Sequence, residues 1–350
     1  MIKRLLKRIL LNYKIGRYEI VHIMNNDKFN KNIIDTINKY FDTKKHCFLY
    51  CGRHSEDMFP IPKYDNVFVA DKITKVKFSR NNRKFILHSL FAPNIVPFLY
   101  ARRDILEKSY WVMWGGDLYS ASEDEAGRFV RENMKGVCYL QNDKDVYIKK
   151  YGEKPRFFNI IVNSPISKSE MDAQVVPRKD FVRIQINNSA DFSTIEALKN
   201  LSKFSNEKIR VTTVLSYGQT RFNDDIIATG KEFFGDKFEP MTQYIPKEVY
   251  LKHLASNDIL ILNQDRQQGL GNLYVCAYLG QKCFVRGDIS VSSVLNAGGI
   301  KIYDTESLEN ITFAEFLEYP AAVREKTVKN VSVYFDDNHI ASLWSKVFDD

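Results

Sequence analysis

The residues best placed to do chemistry sit in a few short loops, and the richest is Asn263-Gln264-Asp265-Arg266-Gln267-Gln268-Gly269-Leu270-Gly271-Asn272. An apolar run precedes it and an apolar helical pattern follows. Gly269 and Gly271 allow a ligand to approach the backbone closely. The following helix presents unpaired N–H groups and the positive end of its dipole. Arg266 adds a planar fork suited to phosphate. Together these fit a diphosphate such as that of a nucleotide sugar, with Arg266, Gln267, Gln268, Gly269, Gly271 and Asn272 as candidate contacts. No Lys-Ser/Thr follows the glycines, so this is no Walker loop, and the dinucleotide fingerprint is incomplete. A second loop, Asn187-Asn188-Ser189-Ala190-Asp191, ends an apolar run just before a helix, the setting of an anion site. Asn188 and Ser189 are the candidates there, with Ser193 or Thr194 as the expected N-cap. Tyr217-Gly218 and Tyr244, ahead of Ile245-Pro246, are loop positions that suit stacking on a base or covering a sugar; surface packing and an ordinary turn are the commoner explanations.

A second group lies in the first half. Trp111-Val112-Met113-Trp114-Gly115-Gly116-Asp117-Leu118-Tyr119-Ser120 runs from a strand-like segment into a Gly-Gly-Asp turn. The pattern predicts a strand that delivers Asp117 to the lip of a cleft, as a base for an acceptor hydroxyl or a hydrogen-bond partner for a sugar. Trp114, Gly115, Gly116 and Tyr119 would line that place, the glycines leaving room. His88 ends another apolar run and is the alternative base; a structural histidine is the competing reading. Asn25 and Asp27, after the first strand-like run, are further lining candidates. No Asp-x-Asp pattern suggests a metal. Asp224-Asp225, Asp336-Asp337 and Asp349-Asp350 read as caps or solvated charge, and Cys47 and Cys51 lack the companions of a zinc site. We therefore expect neither metal nor cofactor.

The elements that must position these loops alternate along the chain. Strands are predicted at 18–24, 46–51, 67–70, 84–88, 110–114, 137–141 and 157–162. Helices are predicted at 31–41, 95–101, near 123–133 and at 143–151. The polar stretch 163–180, with two prolines, reads as a linker. Strands then recur at 181–186, 209–215, 238–241, 259–263, 282–286 and 300–303. The helices between and after them are 194–203, 224–234, 246–255, 271–279, 291–297 and 313–319. Apolar strands alternating with helices indicate an α/β class with parallel sheets covered on both faces. The predicted division is a basic segment 1–16, a Rossmann-like acceptor domain 17–165, a Rossmann-like nucleotide-sugar domain 181–319, and C-terminal helices 320–350 packing back toward the first domain. By analogy of plan this is the GT-B architecture, two Rossmann-like domains facing across a cleft.

The chain has 350 residues, 44% hydrophobic and 27% charged, with a net charge of +8. No apolar run reaches the roughly 20 residues of a membrane span, and Lys7 and Arg8 break what would be the hydrophobic region of a signal peptide. A cytoplasmic protein with five free thiols is expected. The start, MIKRLLKRILLNYK, spaces Ile2, Leu5, Leu6, Ile9 and Tyr13 along one helical face beside five basic residues; only Leu11 spoils the pattern. Such a helix suits an anionic membrane surface, or docking on the protein itself. No zinc-finger, RNA-recognition or other nucleic-acid motif appears, so nucleic acid is not an expected partner.

The segments LHSLFAPN (87–94), WGGDLY (114–119), NNSADFSTIEAL (187–198) and RQQGLGN (266–272), in this order, resemble the bacterial TDP-N-acetylfucosamine:lipid II N-acetylfucosaminyltransferases, the 4-acetamido-4,6-dideoxygalactose transferases of enterobacterial common antigen assembly. The resemblance implies a metal-independent GT-B glycosyltransferase. It also implies a TDP-sugar donor, a polyprenyl-diphosphate-linked glycan acceptor, and peripheral attachment to the inner face of the bacterial inner membrane. The chain departs from the family at Asn187–Asp191, where Gly-Asn-Ser-Gly-Asp is expected, and at Gly116, where the family has alanine. A transferase using another nucleotide sugar for capsule or O-antigen, and a non-catalytic two-lobed nucleotide- or sugar-binding protein, remain alternatives on sequence grounds.

Overall fold

The computed structural model describes residues 2–52, 59–140, 143–162, 166–175, 179–266 and 268–350. The chain divides into two units, one of residues 1–165 with 337–350 and one of residues 166–336. Each is built on its own parallel sheet.

In the first unit, β1 (Ile20–Met24), β2 (His46–Cys51), β3 (Val67–Ala70), β4 (Lys84–His88), β5 (Ser109–Val112), β6 (Gly136–Tyr139) and β7 (Arg156–Asn159) stand in the order β3-β2-β1-β4-β5-β6-β7. All six pairings are parallel. In the second, β8 (Val182–Ile186), β9 (Ile209–Val214), β10 (Phe238–Met241), β11 (Ile259–Leu262), β12 (Lys282–Val285) and β13 (Tyr303–Asp304) stand in the order β10-β9-β8-β11-β12-β13. Every residue of β1, β2, β4, β11 and β12 is buried. Helices on both faces leave a central strand no solvated side, which is why these runs carry no apolar–polar alternation. In both sheets the order reverses beside the first strand, so the loops after β1 and β4, and after β8 and β11, flank the switch points where open α/β sheets bind ligands.

Several boundaries differ from the sequence reading, each for a local reason. The strand expected at 300–303 is only Tyr303–Asp304. The Ile300 amide bonds Leu295 O and the Ile302 amide bonds Asn296 Oδ1, so both are taken before a ladder can form. Within the expected linker, Ser167 and Glu170 form a capping box on the helix Lys168–Asp172, and Ile166 and Met171 enter the second unit's core. The two tail helices part company. Ala321–Val331 stays in the second unit, where Val331 joins the core and Tyr334, just beyond, stacks on Tyr274 at 4.1 Å. Asp337–Phe348 belongs to the first unit. There Trp344 is buried and its indole N–H bonds Ile161 O at 3.2 Å, while Lys84 Nζ donates to Val347 O and Phe348 O at 2.6 and 2.7 Å. An ammonium on the last carbonyls of a helix satisfies groups the helix itself cannot. Of the tail helices expected to pack back toward the first domain, Ala321–Val331 lies in the second unit and Asp337–Phe348 in the first.

The first helix spans Ile2–Ile15. Leu11 and Ile15 face the core, which explains why Leu11 breaks the other apolar stripe; Leu6, Ile9, Leu10 and Tyr13 are exposed. No helix among the described residues is long and apolar enough to cross a membrane.

Candidate active site

At the switch point of the second unit, two asparagines stitch the loops together. Asn187 follows β8 with a positive φ of 51°, a conformation that asparagine tolerates better than most residues. Its Oδ1 accepts the Asn263 N–H at 2.8 Å, and its Nδ2 donates to Thr194 Oγ1 at 2.9 Å. Asn263, after β11, donates from Nδ2 to Ser193 O and Glu196 Oε2 at 3.1 and 2.9 Å. Beyond this pair, Ser189 Oγ accepts from Gln264 Nε2 at 3.1 Å and from Gln268 Nε2 at 2.6 Å. Asn188 Nδ2 donates to Gly269 O at 3.3 Å while its Oδ1 accepts from Gln185 Nε2 at 2.8 Å. The two loops picked out as donor contacts therefore form one surface.

The glycines divide by role. Gly269 has φ +71°, and a Cβ there would lie 2.2 Å from Asn188 Nδ2. Gly271 has nothing within 4 Å of a Cβ. Gly269 O takes the N–H groups of Asn272 and Leu273; those of Leu270 and Gly271 have no acceptor among the described residues. The helix Leu270–Tyr278 thus opens with two donors that no acceptor among the described residues takes. Arg266 is half-buried beside Gln264, Gln268, Leu270 and Ile289, and it makes no ion pair among the described residues. Gln264 Oε1 is buried without a hydrogen-bond partner among them. Gln267 lies outside the described residues.

Gly218 has φ +94°, and its missing side chain admits Ala190, whose carbonyl would lie 2.6 Å from a Cβ. Backbone bonds Ala190 N to Tyr217 O and Gln219 N to Ala190 O seal that approach. Tyr217 is half-exposed beside the loop, whereas Tyr244 is largely exposed and none of the contacts above reaches it. Asn272 turns to Tyr250, its Nδ2 donating to the hydroxyl at 2.6 Å. The helix predicted to begin under a Ser193 or Thr194 cap spans Ser193–Leu201. Asp191 Oδ1 serves its first turn, accepting from Ser193 N and Oγ at 2.9 and 2.6 Å.

Gln185 escaped the sequence reading. It is fully buried in β8, where Oε1 meets His253 Nε2 at 3.0 Å and Asn257 Nδ2 at 3.1 Å while Nε2 holds Asn188. Its one outward sign was a lone amide in the run Val-Arg-Ile-Gln-Ile, two residues before the loop.

The first unit repeats the device. Ser89, after β4, has φ +85° and donates from Oγ to Asn25 Oδ1 at 3.1 Å across the switch point. Asp27 is half-buried there, with Oδ1 accepting from Phe29 N at 3.1 Å. Trp114 packs on Phe29 at 4.9 Å. A Cβ on Gly116 would press on Phe91 at 3.2 Å, and Gly115 takes φ +78° to open the turn Gly116–Tyr119.

Asp117 is not at a lip. It is 1% exposed, and its two oxygens accept from Leu90 N (3.0 Å), Trp111 Nε1 (2.7 Å) and Trp114 N (2.9 Å). Burial pushes its carboxyl up, and the three donors pull it back. The expectation of an open base is corrected: Asp117 ties the loop after β4 to the loop after β5. Tyr119 points to Asp143, its hydroxyl donating to Oδ1 at 2.9 Å. Burial raises Asp143 to about 6 against that bond, and its Oδ2 is buried without a partner among the described residues.

His88 is corrected likewise. It is 2% exposed, and its Nε2 lies 3.0 Å from His22 Nδ1, whose other nitrogen lies 3.0 Å from His46 Nδ1. The three rings cross β4, β1 and β2 inside the sheet's covering layer, against Phe348 and Trp344. Desolvation lowers His88 to about 3 and His46 to about 4, and drives His22 well below the ordinary range. His253 in the second unit is also lowered by burial, to about 4.

The sign of the resulting pH dependence follows from linkage. These rings are neutral when folded, but they take up protons below about 6.5 when unfolded. Stability is therefore full above that value and falls as pH drops toward 4, by up to about 1.4 kcal/mol per pH unit per ring. Asp143 and Asp117, both raised by burial, work in the opposite sense, two groups against four. Denaturant titrations at pH 7.5, 6 and 5 should show this decline above the range where ordinary carboxylates titrate; a flat profile would mean the rings are solvated.

Among the described residues no group of three His, Cys, Asp or Glu side chains is placed to hold a metal ion. The family described as 4-alpha-L-fucosyltransferase glycosyl transferase group 56 matches residues 20–346. Solved structures share the fold. A sucrose-phosphate synthase from Thermosynechococcus elongatus has 10% identity and a TM-score of 0.68, over 95% of this chain and 98% of that one. A glycosyltransferase from Rickettsia africae has 11% identity and 0.67, over 95% and 98%. A UDP-forming alpha,alpha-trehalose-phosphate synthase from Burkholderia vietnamiensis has 9% and 0.60, over 94% and 100%.

Proposed function

The chain belongs to the 4-alpha-L-fucosyltransferase glycosyl transferase group 56 family and is a glycosyltransferase of GT-B fold, and from that premise we propose a specific transfer. The donor is a TDP-activated amino-deoxy sugar of the 4-acetamido-4,6-dideoxygalactose type. The acceptor is a polyprenyl-diphosphate-linked glycan of a bacterial surface polysaccharide. The enzyme works attached peripherally to the inner face of the bacterial inner membrane. The motif resemblance supports the sugar and acceptor. The observation that carries the reaction type is the open helix end at Gly269–Gly271, with two N–H groups and, beside it, Arg266, none with a hydrogen-bond or ion-pair partner among the described residues.

The sugar–oxygen bond to the diphosphate breaks as the acceptor hydroxyl attacks, and negative charge collects on the leaving TDP. Backbone donors and a guanidinium already aimed at that place stabilise the charge as it develops. In this reading the second unit holds the donor at Arg266–Asn272 and Asn188-Ser189. The first presents the acceptor around Asn25, Ser89 and Trp114. The acceptor proton needs a carboxylate that is reachable and not already committed. Asp117 is spent on three N–H groups, whereas Asp27 is half-buried at the switch point and is our choice of base.

Incubation with a panel of nucleotide sugars and a lipid-diphosphate disaccharide, read by product mass and linkage, tests the proposal. Product only from a UDP-hexose would reject the donor; donor consumption without lipid would reject the acceptor. Arg266→Ala should weaken TDP binding roughly ten- to a hundredfold, the worth of a hydrogen bond to a charged group. Calorimetry showing unchanged affinity would remove Arg266 from the site.

A further inference from the structure

A groove of about 1000 Å3 runs along the first unit between the first helix and the edge strand β3. Its floor is apolar, formed by Leu10, Leu11, Phe68, Val69 and Val76. Its rim is basic: Lys7, Arg8 and Lys14 from the helix, Lys72 and Lys75 from the segment after β3, against one carboxylate, Asp71. Of the thirteen exposed large apolar side chains among the described residues, Leu10 and Val69 line this groove, and Leu6, Ile9 and Tyr13 are exposed on the same helix. None of the five basic groups makes an ion pair among the described residues.

The chain direction sets where this face lies. The helix ends at the amino edge of the sheet, since Asn82, two residues before β4, donates to Ile15 O and Tyr18 O at 3.0 and 2.7 Å. Going backward from Ile15, the helix climbs beside the sheet for about 20 Å, close to the length of a five- or six-residue strand. Lys7 therefore stands near the carboxyl edge, level with Asp71 and Lys72 just past β3. That is the edge that carries Asn25, Asp27 and Ser89.

We propose that the first helix and the segment after β3 form one composite docking face for a leaflet of anionic phospholipid. The exposed stripe enters the acyl boundary, and the five cations meet the head-group phosphates. A solvated basic surface has no use for exposed Leu, Ile and Tyr side chains on its helix and an exposed Val across the groove, and a nucleic-acid backbone offers phosphate but no apolar layer; a bilayer interface supplies both. The face deepens the membrane attachment put forward above and rests on it. It also ties that attachment to Lys72 and Lys75, far along the chain from the first helix.

The test uses the full chain and vesicles, without sugar nucleotide, so it fails or succeeds apart from the transfer reaction. Flotation with phosphatidylglycerol–phosphatidylcholine vesicles should show binding that is lost on pure phosphatidylcholine and weakened by salt. Lys72→Glu/Lys75→Glu should weaken it at least about tenfold, given roughly fivefold per basic residue near an anionic surface. Lys199→Glu/Lys231→Glu, the same charge change on exposed positions of the second unit, should weaken it far less. Leu6→Ser/Leu10→Ser, on side chains already in solvent, should lower binding without lowering the melting temperature. Equal losses from both lysine pairs would reduce the effect to net charge and overturn the proposal. So would unchanged binding in Lys72→Glu/Lys75→Glu, or capture of a short single-stranded oligonucleotide in place of vesicles.

Discussion

Replacing Asp117 with alanine is expected to cost the first unit at least about 3 kcal/mol of stability. The change strands three buried donors at once, Leu90 N, Trp111 Nε1 and Trp114 N. Each unmet buried donor costs about 1–3 kcal/mol, and the cavity adds to that. Asp117→Asn separates the two roles a carboxylate can have here. The amide oxygen can keep Leu90 N and Trp111 Nε1, which share Oδ2, but its NH2 then opposes the Trp114 N–H. A loss of about 1–3 kcal/mol follows from that one mismatch. Below its melting temperature the asparagine variant should keep turnover within about tenfold of wild type, because a positioning residue that stays in place still positions. A drop of a thousandfold or more with the melting temperature intact is the signature of a missing base, and would return Asp117 to the chemistry. Asp27→Asn is the complementary change: half-buried and holding one N–H, it should leave stability nearly untouched and lower kcat.

The contrast between these two carboxylates shows where a sequence is legible. The run His46–Cys51 announces a strand buried on both faces, because a parallel sheet covered by helices leaves no polar side to interrupt it. The polar loops after β8 and β11 are legible too, since strand ends at a switch point are where such a sheet meets ligands. What Asp117 faces is another matter. Its partners Leu90 and Trp111 belong to a neighbouring loop and to its own strand's buried side, so the same Gly-Gly-Asp reads as easily outward as inward. Gln185 is hidden for a related reason: its partners Asn188, His253 and Asn257 lie up to 72 residues away. His88 looked like a strand-end histidine open to a ligand, but two other strands each bring a histidine to its side. The last strand is shortened by Asn296 reaching the Ile302 amide, a side-chain competition that hydrophobic patterning does not encode.

Gly269→Ala and Gly271→Ala should move stability in opposite directions and donor affinity in the same one. At Gly269 a methyl group meets a left-handed backbone, which costs roughly 1–2 kcal/mol. It also lands 2.2 Å from Asn188 Nδ2. Asn188 is 1% exposed and already held by Gln185, so it cannot swing away without losing its bonds to Gln185 and Gly269 O. The melting temperature should fall, since the strain is present with or without ligand, and TDP affinity should drop about tenfold if the displaced Asn188 costs the site one hydrogen bond. At Gly271 the methyl group meets nothing in the free protein. Alanine is the better helix former by about 1 kcal/mol, so the melting temperature should rise. The methyl group adds bulk at the helix end, however, whose Leu270 and Gly271 N–H groups have no acceptor among the described residues, and a phosphate that bonds them must come within about 3 Å. Gly271→Ala should therefore be more stable than wild type and bind TDP at least about tenfold more weakly. A residue kept for folding cannot give that pair of signs. If thermal shift and calorimetry show a stabler protein with undiminished TDP affinity, the diphosphate does not sit on this helix, and the donor seat must be sought at another strand end of the second unit.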